Sequence, residues 1–415
     1  MSGSRYRANL RALYLYAALG YAGFQRGIFI LLLVERGFSK AQIGTLESSL
    51  FWANVLFEVP AGLLGDRHGR KLSVIVGLLL LVINAVATLY CRHYVPFLLL
   101  FLLEGIGLAF ISGSDLALLY ETLRRAGRSG DYVRVASRFR LVAYLSHGLT
   151  IAIGGVLLHW SWTWVYGSVA AAWLLAVVAL MPLRDGDVAA GARAGANDAE
   201  ASTADEAEDA PISMQLWRFF FTGAGRELFG LIAALALFDA ALTPYFVYSP
   251  LLFTSYGLGA TSIGLLNGAI DLLAAIPLLL AARMALRPDR TIVLTMFGTG
   301  IVIALNLIRW LPSALVIYVV AMVGPIVMQA LVDNLIQQRV PSAIRASASS
   351  CVSLAESVAV GIAYFVYGVL MDHVPVYLAL SFGAVPTLAA AALALSHFSK
   401  ARARTTPVPA AAVAS

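Results

Sequence analysis

From residue 12 onward the chain alternates long apolar stretches with short polar connections. Twelve such stretches fall at roughly 12–34, 41–64, 72–90, 95–118, 139–158, 162–183, 228–252, 261–282, 291–311, 314–336, 347–371 and 375–397. Each is long enough to cross a hydrocarbon layer of about 30 Å as an α-helix rising about 1.5 Å per residue. Alternation with period two is absent, which disfavours a membrane β-barrel. The pattern predicts an all-α integral membrane protein with twelve transmembrane helices, numbered below as spans 1 to 12.

One polar segment differs from the other connections. Between residues 185 and 210 the chain is Ala-rich and carries Asp185, Asp187, Asp198, Glu200, Asp205, Glu206, Glu208 and Asp209 against Arg193. Such a segment has little apolar surface to bury and is predicted to be a flexible tether. It divides the chain into a six-span half (1–184), a linker (185–226), a second six-span half (227–400) and a disordered tail (401–415).

Composition narrows the function classes. With 60% hydrophobic and 13% charged residues and a mean hydropathy of +0.82, a soluble enzyme or a nucleic-acid-binding domain is a poor fit. The net charge of +6 reads as topology. If the N-terminus is cytoplasmic, 24 of the 29 Lys and Arg residues fall in inside segments. Only Arg36, Lys40, Arg92 and Arg309 fall outside, and Arg26 lies within a span. By the positive-inside rule this predicts an even number of spans with both termini cytoplasmic. Arg5, Arg7 and Arg11 precede a stretch too long for a cleaved signal, so span 1 is expected to be retained. Cys91 and Cys351 offer neither a disulfide framework nor metal-ligand spacing. With no His/Cys cluster and no phosphate-binding G-x-x-x-x-G-K-[ST] loop, no metal, cofactor or direct nucleotide drive is expected.

The connection between spans 2 and 3 is the most specific segment. It reads Gly62-Leu63-Leu64-Gly65-Asp66-Arg67-His68-Gly69-Arg70-Lys71-Leu72-Ser73-Val74, after Phe57-Glu58-Val59-Pro60-Ala61. This resembles the signature of the major facilitator superfamily, G-x-L-a-D-r-x-G-r-k-x-x-l, with Gly65 for Ala and Val74 for Leu. Its E-x-P lead-in resembles that of many bacterial efflux members. The resemblance implies two pseudo-symmetric six-helix bundles. It also implies a cytoplasmic gate in which Asp66 latches near the N-terminal end of span 11, where a helix end carries partial positive charge. Arg67, Arg70 and Lys71 are either part of that latch or simply topology determinants. Gly62 and Gly69 are expected to allow close approach and a tight turn. Weaker kinship at 112–124 and 333–346 adds Asp115, Glu121, Asp333 and Arg345 as gate charges, with Glu58 beside them. The family's Arg in span 4 is missing, Glu104 standing in that segment. In span 5 only Gly154-Gly155 match the Gly-Pro antiporter motif, which speaks against a multidrug pump.

Several ionisable residues lie within spans: Arg26, Glu47, Glu58, Glu104, Asp239, Asp271 and Glu356. Each costs about 2.5–3.5 kcal/mol on the insertion scale, so each should face water or a partner. Helical rise puts Arg26, Glu47 and Glu104 about 21–25 Å from the inner ends of their spans, in one layer. Arg26 is therefore expected as a cationic centre with Glu104 or Glu47 as partner, either for transport or as a structural ion pair. Asn267 shares a helix face with Asp271. Glu104, Asp239, Asp271 and Glu356 are proton-carrier candidates. His147 in span 5 is expected to pack.

These expectations converge on a secondary transporter. It would export a small organic molecule (a metabolite, siderophore or drug-like compound) by proton-coupled antiport and alternating access, as a monomer in a bacterial inner membrane. Its partners would be the substrate, protons and lipid, with no nucleic acid. The alternative is import of a small organic anion such as a siderophore or carboxylate. From another class, the alternative is a non-transporting sensor or scaffold. A membrane enzyme lacks any nucleophile–base or metal constellation in this sequence.

Overall fold

The computed structural model describes residues 3–183, 218, 228–281, 288–340 and 345–405. Apart from Arg218, the expected linker 185–226 lies outside the described residues. Among the described residues all regular structure is helical. In chain order these are α1 Gly3–Gly20, α2 Phe29–Glu35, α3 Lys40–His68, α4 Arg70–Tyr90, α5 Tyr94–Ile111, α6 Ser114–Arg125, α7 Tyr132–Leu157 and α8 Trp162–Leu180. They continue with α9 Phe229–Ser255, α10 Ala260–Ala281, α11 Pro288–Ala304, α12 Leu311–Arg339, α13 Arg345–His373, α14 Val376–Ser381 and α15 Ala384–Thr405. The last helix enters the segment expected as tail.

Among the described residues, nine helical stretches are long and apolar enough to cross a membrane. Spans 1, 2 and 8 make up the rest of the expected twelve. Span 2 is α3, a helix of 29 residues that carries Glu47 and Glu58. Span 8 has a shorter apolar helix over Ala260–Leu273. Span 1 departs from the continuous helix expected over 12–34, being broken between α1 and α2. Exposed apolar residues recur at helical spacing, as Leu79, Ile83, Val86 and Tyr90 in α4 and Leu294, Phe297 and Ile301 in α11. Such stripes face lipid in a membrane protein.

The described residues form two compact units that cut across the two six-span halves. The first holds spans 1 to 6 with Pro244–Ile276 and Gly361–Val376. The second holds the described parts of Ala210–Thr243, Pro277–Val360 and Tyr377–Ser415. In the first unit α4 packs on α5 and α8, α3 on α5, and α1 on α7 and α8. Leu13, Tyr16, Val74, Leu78, Phe139 and Trp173 belong to its buried core. In the second unit α11 packs against α12 and α15, and Gly300 makes room for Leu388.

Cations cap helix ends in the first unit, where unsatisfied carbonyls carry partial negative charge. Lys71 Nζ donates to the Met181 and Leu183 carbonyls (2.9 and 2.5 Å) beyond α8. Arg36 donates to the Cys91 and Leu89 carbonyls (2.9 and 3.3 Å) at the end of α4. Two further seams in this unit join span pairs. Along α3 and the later part of α13, Ser48 Oγ donates to the Gly361 carbonyl at 2.5 Å. At the end of that seam Asp372 accepts from the Lys40 and Ala41 amides, the first two of α3 (2.9 and 3.0 Å). Between α7 and α10, the Gly155 and Gly264 backbones touch, and Gly268 meets the Gly148 carbonyl and Ala152. Small residues at helix crossings let backbones approach this closely.

Candidate functional site

The break in span 1 organises the site. From Tyr21 to Ile28 the chain turns instead of continuing as an α-helix, with i to i+3 bonds from Arg26 N to the Gly23 carbonyl (2.9 Å) and from Ile28 N to the Gln25 carbonyl (3.0 Å). Gly20, Gly23 and Gly27 weaken the helix here. Inside a membrane the freed backbone groups need protein partners, and spans 5 and 8 supply them. Thr150 Oγ1 accepts from the Gly23 amide at 2.9 Å. Asn267 Nδ2, on a residue 1% exposed, donates to the Gly27 carbonyl at 2.6 Å. The Phe24 carbonyl lies where a Cβ on Gly154 would be, so only glycine fits there.

Arg26 sits in this turn. Its Nη2 lies 3.1 Å from Glu104 Oε1 on α5, so Glu104 is its ion-pair partner. Asn84 Nδ2 donates to the other Glu104 oxygen at 3.2 Å and to the Leu100 carbonyl at 2.9 Å. Thr88 Oγ1 in turn donates to Asn84 Oδ1 at 3.1 Å. The pair lines a cleft with Gln25, Phe101, Tyr166 and Trp173, whose volume of about 20 Å³ is room for about one water. Glu47, on α3, is 2% exposed and lies within electrostatic reach of the same guanidinium. Its Oε1 is buried without a hydrogen-bond partner.

A second polar pair lies beside the break. His147 Nδ1 is 2.8 Å from Asp271 Oδ2, and the imidazole covers Gly23, where a Cβ would come within 2.8 Å of the ring. Sequence reasoning assigned His147 to packing, because an isolated histidine in a span carries no mark of a partner 124 residues away. Asp239 and Glu356 are partly buried in the second unit.

The gate residues divide by surroundings. Glu58 and Arg67 are exposed. Asp66, 60% exposed, pairs with Arg70 one turn on. Gly69 turns the chain with φ of 102°, whereas a Cβ at Gly62 would meet no described atom within 4 Å. Asp115 is 4% exposed and accepts the Tyr21 hydroxyl proton at 2.5 Å and the Leu116 amide at 2.6 Å. It is thus tied to the start of the span 1 break. Glu121 pairs with Arg125 on its own helix at 3.3 Å. The Asp333 and Arg345 side chains lie outside those described. Tyr245, Tyr248, Tyr364 and Tyr367 are buried in packing.

Stacked apolar helices, a broken span with its backbone satisfied by neighbours, and paired polar side chains within the spans define a multi-pass membrane protein. The chain belongs to the Major Facilitator Superfamily, which its sequence matches over residues 13–364. No curated protein matches it. Among solved structures it is similar to a bacterial homologue of the human lysosomal transporter Spinster in an inward-facing, unoccupied conformation (TM-score 0.75, 14% identity, 99% of this chain and 100% of that one). It is also similar to the nucleoside transporter NupG (TM-score 0.71, 16% identity, 95% and 98%) and to a D-xylose-proton symporter (TM-score 0.67, 15% identity, 93% and 95%). At these identities the likeness concerns the fold.

Proposed function

We propose that the protein is a proton-coupled secondary transporter that exports a small organic molecule across a bacterial inner membrane, with both termini cytoplasmic. The observation that carries this reading is the pairing of Arg26 with Glu104 and of His147 with Asp271 around one broken span. Membrane-buried charges are costly and mark ion or substrate pathways. Both pairs combine a carboxylate with a cationic or protonatable partner. The Gly62–Val74 loop serves as the gate in this reading.

Glu104 already neutralises Arg26, so an anionic substrate group would meet a competitor there. In this reading the substrate therefore stays in the broad class of small organic molecules, with no preference for an anion. Import remains the second direction that the same machinery allows, since a reversible carrier follows its gradients.

The test compares metabolites in cells and medium between a deletion strain and its complemented parent. Export predicts a compound retained in deletion cells and depleted from their medium. A compound left behind in the medium of the deletion strain would establish import. Identical profiles that also ignore a protonophore would refute the carrier reading.

A further inference from the structure

Glu47 is a buried carboxyl group that neither of these pairs uses. Gly44, Glu47 and Ser48 lie on one face of α3. That face meets α13: Gly44 abuts the Tyr364 carbonyl, and Ser48 bonds to the Gly361 carbonyl. The groups that reach Glu47 electrostatically are Arg26 from the span 1 turn, Glu104 from α5, Tyr364 from α13 and Tyr248 from α9. Tyr166 of α8 faces the same Arg26 and Glu104. Arg26 is the cation among these, and Glu104 holds it directly while also taking the Asn84 amide.

One guanidinium therefore serves two carboxyl groups. If both were ionised, the cluster would carry a net negative charge in the membrane interior, with Glu47 Oε1 buried and bare. An ionised, unsatisfied carboxylate in an apolar interior is far more costly than a neutral one. A single proton on Glu47 makes the cluster neutral. We propose that Glu47 stores a proton while its face of α3 is sealed against α13, and gives it up when that seam opens. The step balances simply. The Glu47 carboxylic acid loses its proton to water entering the seam and becomes a carboxylate facing Arg26, and closing the seam requires the reverse. The inference rests on the proton-coupled reading and names the group that does the coupling.

The test is infrared difference spectroscopy on the purified full-length protein in lipid nanodiscs, with no substrate added. Wild type at neutral pH should show the carbonyl stretch of a protonated carboxyl group. Glu47→Gln should delete that band, and Glu104→Gln, which frees Arg26 to neutralise an ionised Glu47, should weaken it. Glu47→Asp, which retains a carboxyl group, should shift the band and covers the case in which Glu47→Gln folds poorly. Loosening the seam with Asp372→Ala should speed the band's exchange in deuterated water about 5–30-fold. A wild type without the band, or a band that survives in Glu47→Gln, overturns the assignment. Unchanged exchange in Asp372→Ala overturns its link to the seam. Because the measurement needs no transport, its failure is distinct from failure of the carrier reading, which the metabolite comparison decides.

Discussion

Asp372 offers a clean test of the seam between α3 and α13. Its two oxygens accept separately from the Lys40 and Ala41 amides at 2.9 and 3.0 Å. A helix N-terminus carries roughly half a positive charge, and an exposed carboxylate there is worth about 0.3–1 kcal/mol. The hydrogen bonds add a net contribution of about 0.5–1.5 kcal/mol, at the low end because water can replace them on an exposed residue. Ser39 and Gln42 form a capping box at the same helix start, so α3 itself should survive the loss of Asp372. Asp372→Ala should therefore loosen the seam by about 1–2 kcal/mol, which multiplies its open population by about 5–30. Amide hydrogen exchange followed by mass spectrometry reads this directly. Peptides covering 39–48 and 361–373 should exchange faster by that factor, while peptides from the interiors of α4 and α5 should not change. Asp372→Asn, with one acceptor and no charge, should fall between. Equal exchange in wild type and Asp372→Ala would show that the contact holds nothing together. Equal exchange in wild type and Asp372→Asn would refute the electrostatic part of the argument.

Four further outcomes are expected. Arg26→Leu or Glu104→Leu alone should lower thermal stability in detergent, since stripping one partner from this partly buried pair leaves the other charge uncompensated. The double variant should regain most of that stability without regaining transport, and an undiminished single variant would show that the pair contributes nothing to stability. Gly264→Leu puts side-chain atoms into the Gly155 backbone and should cost about 1–3 kcal/mol or more; wild-type melting would mean that α7 and α10 do not touch there. Tyr21→Phe removes the hydroxyl that Asp115 accepts and should destabilise by about 1–3 kcal/mol, with Asp115→Asn partly restoring the melting temperature if that bond is the cause. Asp66→Asn should alter transport rates with little change in melting, because Asp66 is exposed, and normal transport in both directions would refute a gating role.

The parts of this molecule visible in its sequence are those that depend on local pattern. Runs of apolar residues mark helices, because a membrane forces backbone groups to bond within their own segment. The loop signature at 62–74 points to the family, and counting turns from the span ends puts Arg26, Glu47 and Glu104 in one layer. What stayed hidden depends on partners distant in the chain. Glycines 20, 23 and 27 hint at a weak helix, but the break also needs Thr150 and Asn267 to take up the freed backbone groups. His147 gains its meaning from Asp271, and Asp115 from Tyr21. Depth alone could not choose between Glu104 and Glu47 as the partner of Arg26. Asn84 bears on that choice by holding Glu104 from the side, and no periodicity reveals that contact.

The boundary between the two compact units carries a physical argument of its own. It crosses α9 between Thr243 and Pro244, α10 between Ile276 and Pro277, and α13 between Val360 and Gly361. Proline removes a helical hydrogen bond and clashes with the carbonyl one turn back, and glycine is the most flexible residue in a helix. Pro244 in α9 and Gly361 in α13 thus each weaken helical hydrogen bonding or stiffness locally. Gly361 makes this concrete, since its own carbonyl receives Ser48 beside Glu47. Under the proposal for Glu47, a bend of α13 at Gly361 would break that bond and open the face of α3 that carries Glu47.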